Sequence, residues 1–415
     1  MKRNKLHYKW ELIILLWLCF FFNQADRQIF NVVLPDIRHE LGLSYAEMGL
    51  IASILTLVYG LLVPVAGFLG DLKNKKNIII ISLLVWSSAT LLTGISTTLF
   101  ELILLRSVAT GGGEAFYAPP ANALISEYHK KTRATALSIH QTALYVGIIS
   151  SGYLAGYIAD LYGWRRAFYI FGAFGIILAI IIYFRMKKIS SNNNASNIQR
   201  KSIKETLLVF FKKPTALLLT AGFSGMQFVG IGFLTWMPTF LHEKFNFSLS
   251  RAGFDSTFYH HVAAFIGVLI GARIADTYCK KYVRIRIFIQ MIGLFLGAPF
   301  IYLLGESNSL LIIYISLSMF GLFRGMYDSN IFASLYDVIE APFRSTATGI
   351  VLMTGFCIAA LSPYILGVLQ PTFGLSNGIA FLSLVYVFSG ISLLIAMKLF
   401  YKKDLVVNDS NQLEV

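Results

Sequence analysis

Residues 44–49 of the chain read Ser-Tyr-Ala-Glu-Met-Gly, and residues 248–253 read Ser-Leu-Ser-Arg-Ala-Gly. Both hexapeptides lie at the start of a long, mostly apolar run. Further matched pairs lie at similar separations, from 203 residues between the prolines to 211 residues between the arginines: Pro35 with Pro238, Asp71 with Asp276, and Arg133-Ala-Thr-Ala with Arg344-Ser-Thr-Ala. We therefore predict that the chain consists of two related halves.

The composition places most of the chain in lipid. Of 415 residues, 56% are hydrophobic and only 13% are charged, about half the charged fraction of a soluble globular chain. A hydrocarbon core about 30 Å thick requires roughly 20 apolar residues per helix, and runs of this length recur throughout. The predicted membrane helices lie near residues 10–35, 45–70, 77–99, 100–125, 134–160, 165–185, 214–241, 251–276, 285–305, 309–336, 344–370 and 376–400. The predicted fold class is an all-α membrane protein with twelve transmembrane helices in two pseudo-symmetric six-helix bundles.

The predicted domains follow from this division. They are an N-terminal six-helix bundle at 1–184, a cytoplasmic linker at 185–213, a C-terminal six-helix bundle at 214–401 and a cytoplasmic tail at 402–415. The linker contains Ser-Ser-Asn-Asn-Asn-Ala-Ser, which is too polar to order itself by burial. Its amphipathic end, residues 203–211, favours a helix along the membrane surface, with a plain connector as the alternative.

The first apolar run is interpreted as a membrane helix. The basic residues 1–9 followed by apolar residues are similar to a secretory signal. However, the run from residue 10 to residue 35 is too long for a signal and contains Asp26 and Arg27. We therefore expect an uncleaved first helix.

The distribution of lysine and arginine predicts the topology. About 26 of the 35 lie on the side that carries both termini, and about five lie opposite. The positive-inside rule places both termini in the cytoplasm, and a sequence rich in Ile, Lys and Asn favours the inner membrane of a bacterium. The net charge of +14 does not indicate nucleic acid as a partner, because the cations lie between hydrophobic runs and not on one folded face. Membrane lipid is the expected surrounding.

Ionisable residues inside membrane helices are costly and therefore mark functional candidates. Asp26 and Arg27 lie in the first helix, and Arg106 and Glu114 lie in the fourth. At about 1.5 Å per residue the arginines lie at similar depth, and Glu114 lies roughly 12 Å deeper than Arg106. Two guanidinium groups that face one cavity repel unless an anion binds between them, so we predict that Arg27 and Arg106 bind a carboxylate. Asp26 and Glu114 are the predicted proton carriers. A purely structural ion-pair network is the alternative.

Arg324 and Asp328 in the tenth predicted helix are a third pair of such ionisable candidates, and the other residues carry weaker signals. Arg324 lies four residues before Asp328, so it either binds substrate or neutralises that carboxylate. Pro119-Pro120 should bend the fourth helix, because proline removes backbone donors. The remaining polar candidates are Gln141, Tyr145 and Gln227 as substrate-binding residues, and His140, His260 and His261 without an assigned role. The sequence contains no HExxH motif and no Cys/His cluster, so we expect no enzyme, no metal and no cofactor.

Residues 67–76 read Gly-Phe-Leu-Gly-Asp-Leu-Lys-Asn-Lys-Lys. This resembles the loop signature of the major facilitator superfamily, with Leu72 and Asn74 in place of the usual Arg and Gly. The resemblance implies that Gly67 permits close helix packing and that Asp71 pairs with cations on neighbouring helix ends to lock the outward-facing state. The predicted gating residues are Gly67, Asp71, Lys75, Arg133, Asp276 and Arg344.

Three stretches resemble the anion:cation symporter family of sugar-acid and organic-anion transporters. They are Asn-Gln-Ala-Asp-Arg at 23–27, Arg106 with Gly-Glu-Ala at 113–115 and Pro-Ala-Asn-Ala at 120–123, and Lys-Lys-Thr-Arg-Ala at 130–134. The resemblance implies that Arg27 and Arg106 bind the substrate carboxylate, that Asp26 and Glu114 carry protons, and that the protein is a monomer. Arg106 precedes Glu114 by eight residues, where seven is usual in that family. The Spinster branch, which transports lipid-like molecules, shares the Asn-x-x-Asp-Arg and Gly-Glu-Ala features.

The expected function is secondary active transport by alternating access. The small-molecule substrate is an organic anion, a hexuronate, aldonate or sialic-acid-like sugar acid, and protons are the coupling ion. The alternative is a Spinster-like lipid exporter or a drug antiporter, although drug antiporters usually carry a Gly-Pro step that residues 147–152 lack. A more distant alternative is a non-transporting membrane receptor or an intramembrane enzyme.

Overall fold

The computed structural model describes residues 5–72, 74–187, 203–279 and 281–406, without the side chains of residues 5–7, 71, 72, 134 and 203. Regular structure in these ranges is helical. The α-helices are α1 Lys5–Leu41, α2 Tyr45–Leu72, α3 Lys75–Thr93, α4 Leu99–Leu102, α5 Thr110–Ala115, α6 Ala118–Tyr128, α7 Arg133–Tyr162, α8 Trp164–Arg185, α9 Ile203–Phe211, α10 Pro214–Phe245, α11 Leu249–Tyr278, α12 Ile285–Glu306, α13 Leu310–Asp328, α14 Ile331–Val338, α15 Arg344–Ala359, α16 Leu361–Ile395 and α17 Tyr401–Asp404. Two π-helical segments, Ile103–Ala109 and Ala396–Phe400, and a short 3-10 helix, Ala341–Phe343, complete the set.

The described helices fall at the predicted membrane positions, with several differences in continuity. Ten helical segments of the described chain are long and apolar enough to cross a membrane. One of them, Ala341–Asp404, holds two of the predicted helices, and Gly374 with φ 72° separates these. The predicted helix at 100–125 is not among the ten, and the structure interrupts it with a π-helical segment and with a turn after Ala115.

Prolines explain two of the breaks. Pro119 and Pro120 lie in the first turn of α6, where a missing N–H removes no helical hydrogen bond. This break confirms the predicted interruption of the fourth helix. Pro363 cannot donate to the carbonyl of Ala359, and the predicted helix at 344–370 accordingly divides between α15 and α16.

The chain divides into two compact units, which are described separately. The first comprises the described residues within 1–191 together with 231–261 and 360–375. The second comprises the described residues within 192–230, 262–359 and 376–415. The domain boundaries at 184 and 214 stay a prediction.

The first unit has an apolar core between α1, α3, α6 and α7. Leu16, Cys19, Leu83 and Trp86 are fully buried in it. Tyr117 lies at its centre and donates a hydrogen bond to the Leu16 carbonyl at 2.5 Å. Cys19 is a free cysteine and contributes to this core as a small packing residue.

Glycines in the first unit bring helices from both sequence halves into close contact. A Cβ at Gly152 would lie 2.6 Å from the Gly253 carbonyl oxygen, and a Cβ at Gly156 would overlap the backbone of Leu249 and Ser250. Gly152 and Gly156 thus form a Gly-x-x-x-Gly step that allows tight helix contact on α7.

The same contact recurs at the repeat-related positions. A Cβ at Gly49 would overlap the Pro363 carbonyl, and a Cβ at Gly367 would overlap the Tyr45 carbonyl. Gly49 matches Gly253 in the hexapeptide repeat, and Gly367 lies 211 residues after Gly156, the separation of the two arginines. The sequence repeat is therefore visible in the packing of α2 on α16 and of α11 on α7.

Candidate functional site

The backbone around Arg106 departs from an α-helix. Residues Ile103–Ala109 form a π-helical segment, in which Thr110 donates its backbone N–H to the Leu105 carbonyl five residues earlier. The Thr110 hydroxyl donates to the same carbonyl at 2.9 Å. An i→i+5 turn takes up one residue more than an α-helical turn, and such turns often mark functional sites. The eight-residue spacing between Arg106 and Glu114 thus includes one widened turn.

Arg27 and Glu114 form a direct ion pair. The distance from Arg27 Nε to Glu114 Oε2 is 2.5 Å, and the two side chains are 19% and 0% exposed. The Arg27 guanidinium also lies over the Tyr59 ring, 4.0 Å from its centroid. The predicted depth difference between Glu114 and the arginines follows from the helical rise alone, and the long Arg27 side chain spans it.

Arg106 adjoins this pair. Its Nη2 donates to the backbone carbonyl of Arg27 at 3.0 Å, and its guanidinium lies 5.4 Å from the centroid of the Phe30 ring. Arg106 is only 2% exposed. The second guanidinium is therefore fixed by the backbone of the first arginine and keeps its remaining donors for another partner.

Asp26 completes the cluster. It is 1% exposed and is close to the charges of Glu114 and Arg106. It faces Thr90 and Trp86 on α3, but neither of its oxygens forms a well-directed hydrogen bond with a described residue. Two cations and two carboxylates thus lie in one buried group, which is neutral overall when all four are ionised.

Several polar atoms of this cluster have no hydrogen-bond partner among the described residues. They are both Asp26 carboxylate oxygens, Arg27 Nη2, Arg106 Nε and Nη1, and Glu114 Oε1. Buried polar atoms are normally satisfied, and an unsatisfied one costs about 1–3 kcal/mol or more when charged. The cluster can therefore take up a polar ligand, water or a proton.

The two arginines line a cavity of about 50 Å³ in the first unit. The other lining residues are Phe30, Asn31, Ile51, Ala52, Leu55, Thr56, Ile231, Leu234 and Thr235. This volume holds a few water molecules. Pockets for drug-sized ligands measure roughly 300–1,000 Å³, so a larger substrate requires the lining helices to move apart.

The other predicted substrate-binding residues lie apart from this cavity's lining. Gln141 on α7 is exposed, and the Tyr145 ring meets His261 edge-on with centroids 6.2 Å apart. Gln227 and Arg324 belong to the second unit. There Arg324 Nε lies 3.7 Å from Asp328 Oδ2, and a Cβ at Gly230 would lie 2.6 Å from the Arg324 guanidinium. The predicted i, i+4 pair forms, while the binding roles stay a prediction.

The predicted gating residues have separate environments. Lys75 forms an ion pair of 2.8 Å with Glu127, and Arg133 and Asp276 are exposed. A Cβ at Gly67 would meet no described atom within 4 Å, so the close packing expected there is not found in this conformation. The side chain of Asp71 lies outside the described residues.

Arg344, the sixth predicted gating residue, caps a short helix. Its Nε donates to the Ile339 carbonyl at 3.0 Å, and its Nη2 donates to the Tyr336 carbonyl at 2.8 Å. These are carbonyls at the end of α14, where helical carbonyls lack intrahelical partners. Arg344 therefore has a local structural role that the sequence motif did not indicate.

Sequence reasoning missed the neighbours of the arginines. Phe30 and Asn31 lie three and four residues after Arg27 and therefore on the same face of α1. That spacing could have identified both. Tyr59, Thr56 and Thr235 come from α2 and α10, and no local pattern predicts that these helices approach Arg27.

The sequence model of the Major Facilitator Superfamily matches residues 16–363. The chain belongs to this superfamily. The predicted fold class is thereby confirmed, and the protein is an integral multi-pass membrane transporter of small molecules.

Individual relatives are more distant. Protein spinster homolog 1 of Xenopus tropicalis is 28% identical over 389 residues, which cover 86% of this chain and 72% of that protein. The probable L-galactonate transporter of Escherichia coli (strain K12) is 22% identical over 385 residues, covering 87% and 83%. A crystal structure of a bacterial homologue of the human lysosomal transporter Spinster, inward-facing and unoccupied, has a TM-score of 0.86 at 21% identity and covers 96% of this chain and 99% of that one. The structural match supports the fold.

Proposed function

We propose that the protein carries an organic anion across the membrane together with protons, by alternating access. The observation that carries this proposal is the buried cluster in which Arg27 and Arg106 line a cavity and keep unpaired donors next to two carboxylates. Two desolvated guanidinium groups repel a cationic substrate, and they form weaker hydrogen bonds with a neutral substrate than with an anion. An anion satisfies both.

The donors available for an anion are Nη2 of Arg27 and Nε and Nη1 of Arg106. Charge-assisted hydrogen bonds from guanidinium to carboxylate are roughly twice as strong as neutral ones. The Arg106 Nη2 is held on the Arg27 backbone carbonyl, and the Arg27 guanidinium lies against Glu114 and over the Tyr59 ring, so both guanidinium groups are positioned beside the cavity. A carboxylate in the cavity therefore meets a preformed set of donors.

Proton coupling follows from competition for Arg27. Glu114 is the present partner of this guanidinium, at 2.5 Å. When a substrate carboxylate takes over Arg27, the cluster holds three anions and two cations as long as Asp26 and Glu114 stay ionised, and the uncompensated buried negative charge is strongly unfavourable. Protonation of Glu114 removes that charge. Anion binding and proton uptake are then favourable together and unfavourable separately. Asp26 is the second proton carrier of the cluster.

The substrate class proposed first is a sugar acid, a hexuronate, aldonate or sialic-acid-like molecule. The resemblance of the Asp26-Arg27 and Glu114 stretches to sugar-acid carriers supports it, as does the similarity to an L-galactonate transporter and to a hexuronate transporter of Bacillus subtilis (strain 168). The proposal also includes a monomer in the bacterial inner membrane with both termini in the cytoplasm.

A Spinster-like carrier of an amphiphilic anion is the second candidate. Apolar side chains of Ile51, Leu55, Ile231 and Leu234 line the cavity beside the arginines. Such a surface also suits the alkyl chain of a lipid whose head group is anionic. Both candidates use the arginines in the same way and differ in the part of the substrate that the rest of the cavity contacts.

The test is uptake into proteoliposomes with and without an inward proton gradient. The substrates are radiolabelled sugar acids and a lysophosphatidate, and the variants are Arg27→Ala, Arg106→Ala and Glu114→Gln. Arg166→Ala, which removes an exposed arginine of α8, is the matched control. We expect one sugar acid to accumulate only with the gradient, both cluster arginine variants to lose uptake, and Glu114→Gln to exchange substrate without concentrating it. Uptake that ignores the gradient and both arginines would refute the proposal.

A further inference from the structure

Two threonines in the cavity lining have hydroxyl groups that are already used as donors. Thr56 Oγ1 donates to the Ala52 carbonyl at 3.0 Å, and Thr235 Oγ1 donates to the Ile231 carbonyl at 2.8 Å. A hydroxyl has one hydrogen and two lone pairs. With the hydrogen held by the preceding turn, each threonine offers only acceptor capacity to a ligand in the cavity.

Asn31 lies in the same lining and, like the threonines, donates a hydrogen bond within its own helix. Its Nδ2 donates to Gln28 Oε1 at 3.2 Å, and the residue is 7% exposed. An amide carries one acceptor oxygen beside its NH2 group. The bond to Gln28 uses one of the two amide N–H groups, so the Oδ1 atom remains as an acceptor beside the second N–H.

The polar part of the cavity thus has two kinds of group. Arg27 and Arg106 can only donate hydrogen bonds, and they attract negative charge. Thr56, Thr235 and Asn31 accept them. A ligand that satisfies both kinds carries an anionic acceptor at one end and several hydroxyl donors at the other.

We propose that Thr56, Thr235 and Asn31 select for a substrate with hydroxyl groups, so that the site binds a polyhydroxylated carboxylate better than an unhydroxylated carboxylate of the same length. This inference rests on the proposed function, because it requires the arginines to hold the carboxylate. It deepens that function by assigning the discrimination between a sugar acid and an alkyl anion to three named side chains. A site with such acceptors rejects an analogue that lacks the matching donor, because the buried acceptors then lose their bonds to water without replacement.

The experiment measures binding of D-gluconate and hexanoate, which share a six-carbon chain and a carboxylate, to the purified full-length protein by isothermal titration calorimetry. We expect gluconate to bind at least about tenfold more tightly than hexanoate. Thr235→Val and Thr56→Val should each reduce that preference about two- to tenfold by weakening gluconate binding alone, the range expected for one lost hydrogen bond.

Two further variants test whether the hydroxyl itself is responsible. Thr235→Ser keeps the hydroxyl and should retain the wild-type preference. Thr220→Val is the matched control, because Thr220 on the same helix also donates to the carbonyl four residues earlier, at 2.7 Å, but does not line the cavity. It should leave both affinities unchanged.

The outcomes distinguish this inference from the proposed function. If both carboxylates bind in an Arg27- and Arg106-dependent manner but the threonine variants leave their ratio unchanged, or if hexanoate binds better, the hydroxyl selection is wrong and the anion site stands. If neither carboxylate binds, or binding ignores the arginines, the proposed function is wrong as well. A ratio that falls in Thr235→Val and recovers in Thr235→Ser supports the inference.

Discussion

The Asp160 carboxylate near the end of α7 accepts hydrogen bonds from the backbone N–H groups of Leu249 and Ser250, each at 3.0 Å. The Ser250 hydroxyl donates to the same carboxylate at 2.7 Å. These N–H groups lie in the first turn of α11, where no intrahelical partner is available and the helix dipole favours negative charge. A helix of the first sequence half thus caps a helix of the second, next to the glycine contact at Gly156.

The first prediction concerns this cap. Asp160→Ala removes both acceptors, and loss of an N-terminal cap typically costs about 1 kcal/mol, which corresponds to roughly fivefold faster local opening. We therefore expect amide hydrogen exchange of the segment 247–252 to accelerate by about that factor. Asp160→Asn keeps one oxygen and should have a smaller effect. Exchange at the start of α13, where Ser309 provides no side-chain cap, serves as the internal reference. Unchanged exchange at 247–252 would mean that the carboxylate contributes nothing there.

The second prediction concerns the glycine beside the cap. A methyl group at Gly156 would overlap the backbone of Leu249 and Ser250, which cannot rotate away as a side chain could. Gly156→Ala should therefore destabilise the protein by about 1–3 kcal/mol, as overpacking does in a rigid core. The measurement is the unfolding free energy in detergent. Gly349→Ala is the matched control, because a Cβ there meets no described atom within 4 Å and alanine favours the helix. Equal stability of the two variants would contradict the close contact.

The third prediction concerns the ion pair between Arg27 and Glu114. Removal of one partner leaves a buried charge alone, so Arg27→Gln should cost about 3–5 kcal/mol, while the double variant with Glu114→Gln should cost clearly less than the sum of the single variants. A double-mutant cycle of unfolding free energies measures this coupling. The comparison cycle uses Lys75 and Glu127, whose side chains are 22% and 45% exposed and whose coupling should stay below about 1 kcal/mol. Additive effects at Arg27 and Glu114 would show that the pair does not matter for stability.

The fold was largely predictable, because the hydropathy pattern and the internal repeat both extend along the whole chain. The helix ends near Pro120 and Gly374 were also accessible, since proline and a positive φ have local causes. The π-helical turn around Arg106 was not predictable, because hydropathy does not indicate which carbonyl accepts the hydrogen bond of a given backbone N–H.

The candidate site was predictable only in part, for a related reason. Charged residues are conspicuous in apolar runs, so the sequence identifies Arg27 and Glu114 as candidates. Their direct pairing was not predictable, because it depends on how far an arginine side chain reaches across the gap between α1 and α5. Thr235 carries no such signal. A threonine in a membrane helix usually bonds to its own backbone, and only the structure shows that this one also lines the cavity beside the arginines.

The fourth prediction separates two roles of Arg344, which the sequence motif assigns to gating and the structure shows as a cap on α14. Arg344→Lys retains the charge but loses the planar fork that reaches the Tyr336 and Ile339 carbonyls together. If the cap is its main role, hydrogen exchange in 331–340 should accelerate severalfold in Arg344→Lys while transport retains its proton dependence. Arg133→Lys is the matched control, since this repeat counterpart is exposed at the start of α7 and should leave exchange in its own segment unchanged. Loss of transport without faster exchange in 331–340 would instead favour the gating role. Gating would then require the guanidinium group itself and not only its positive charge.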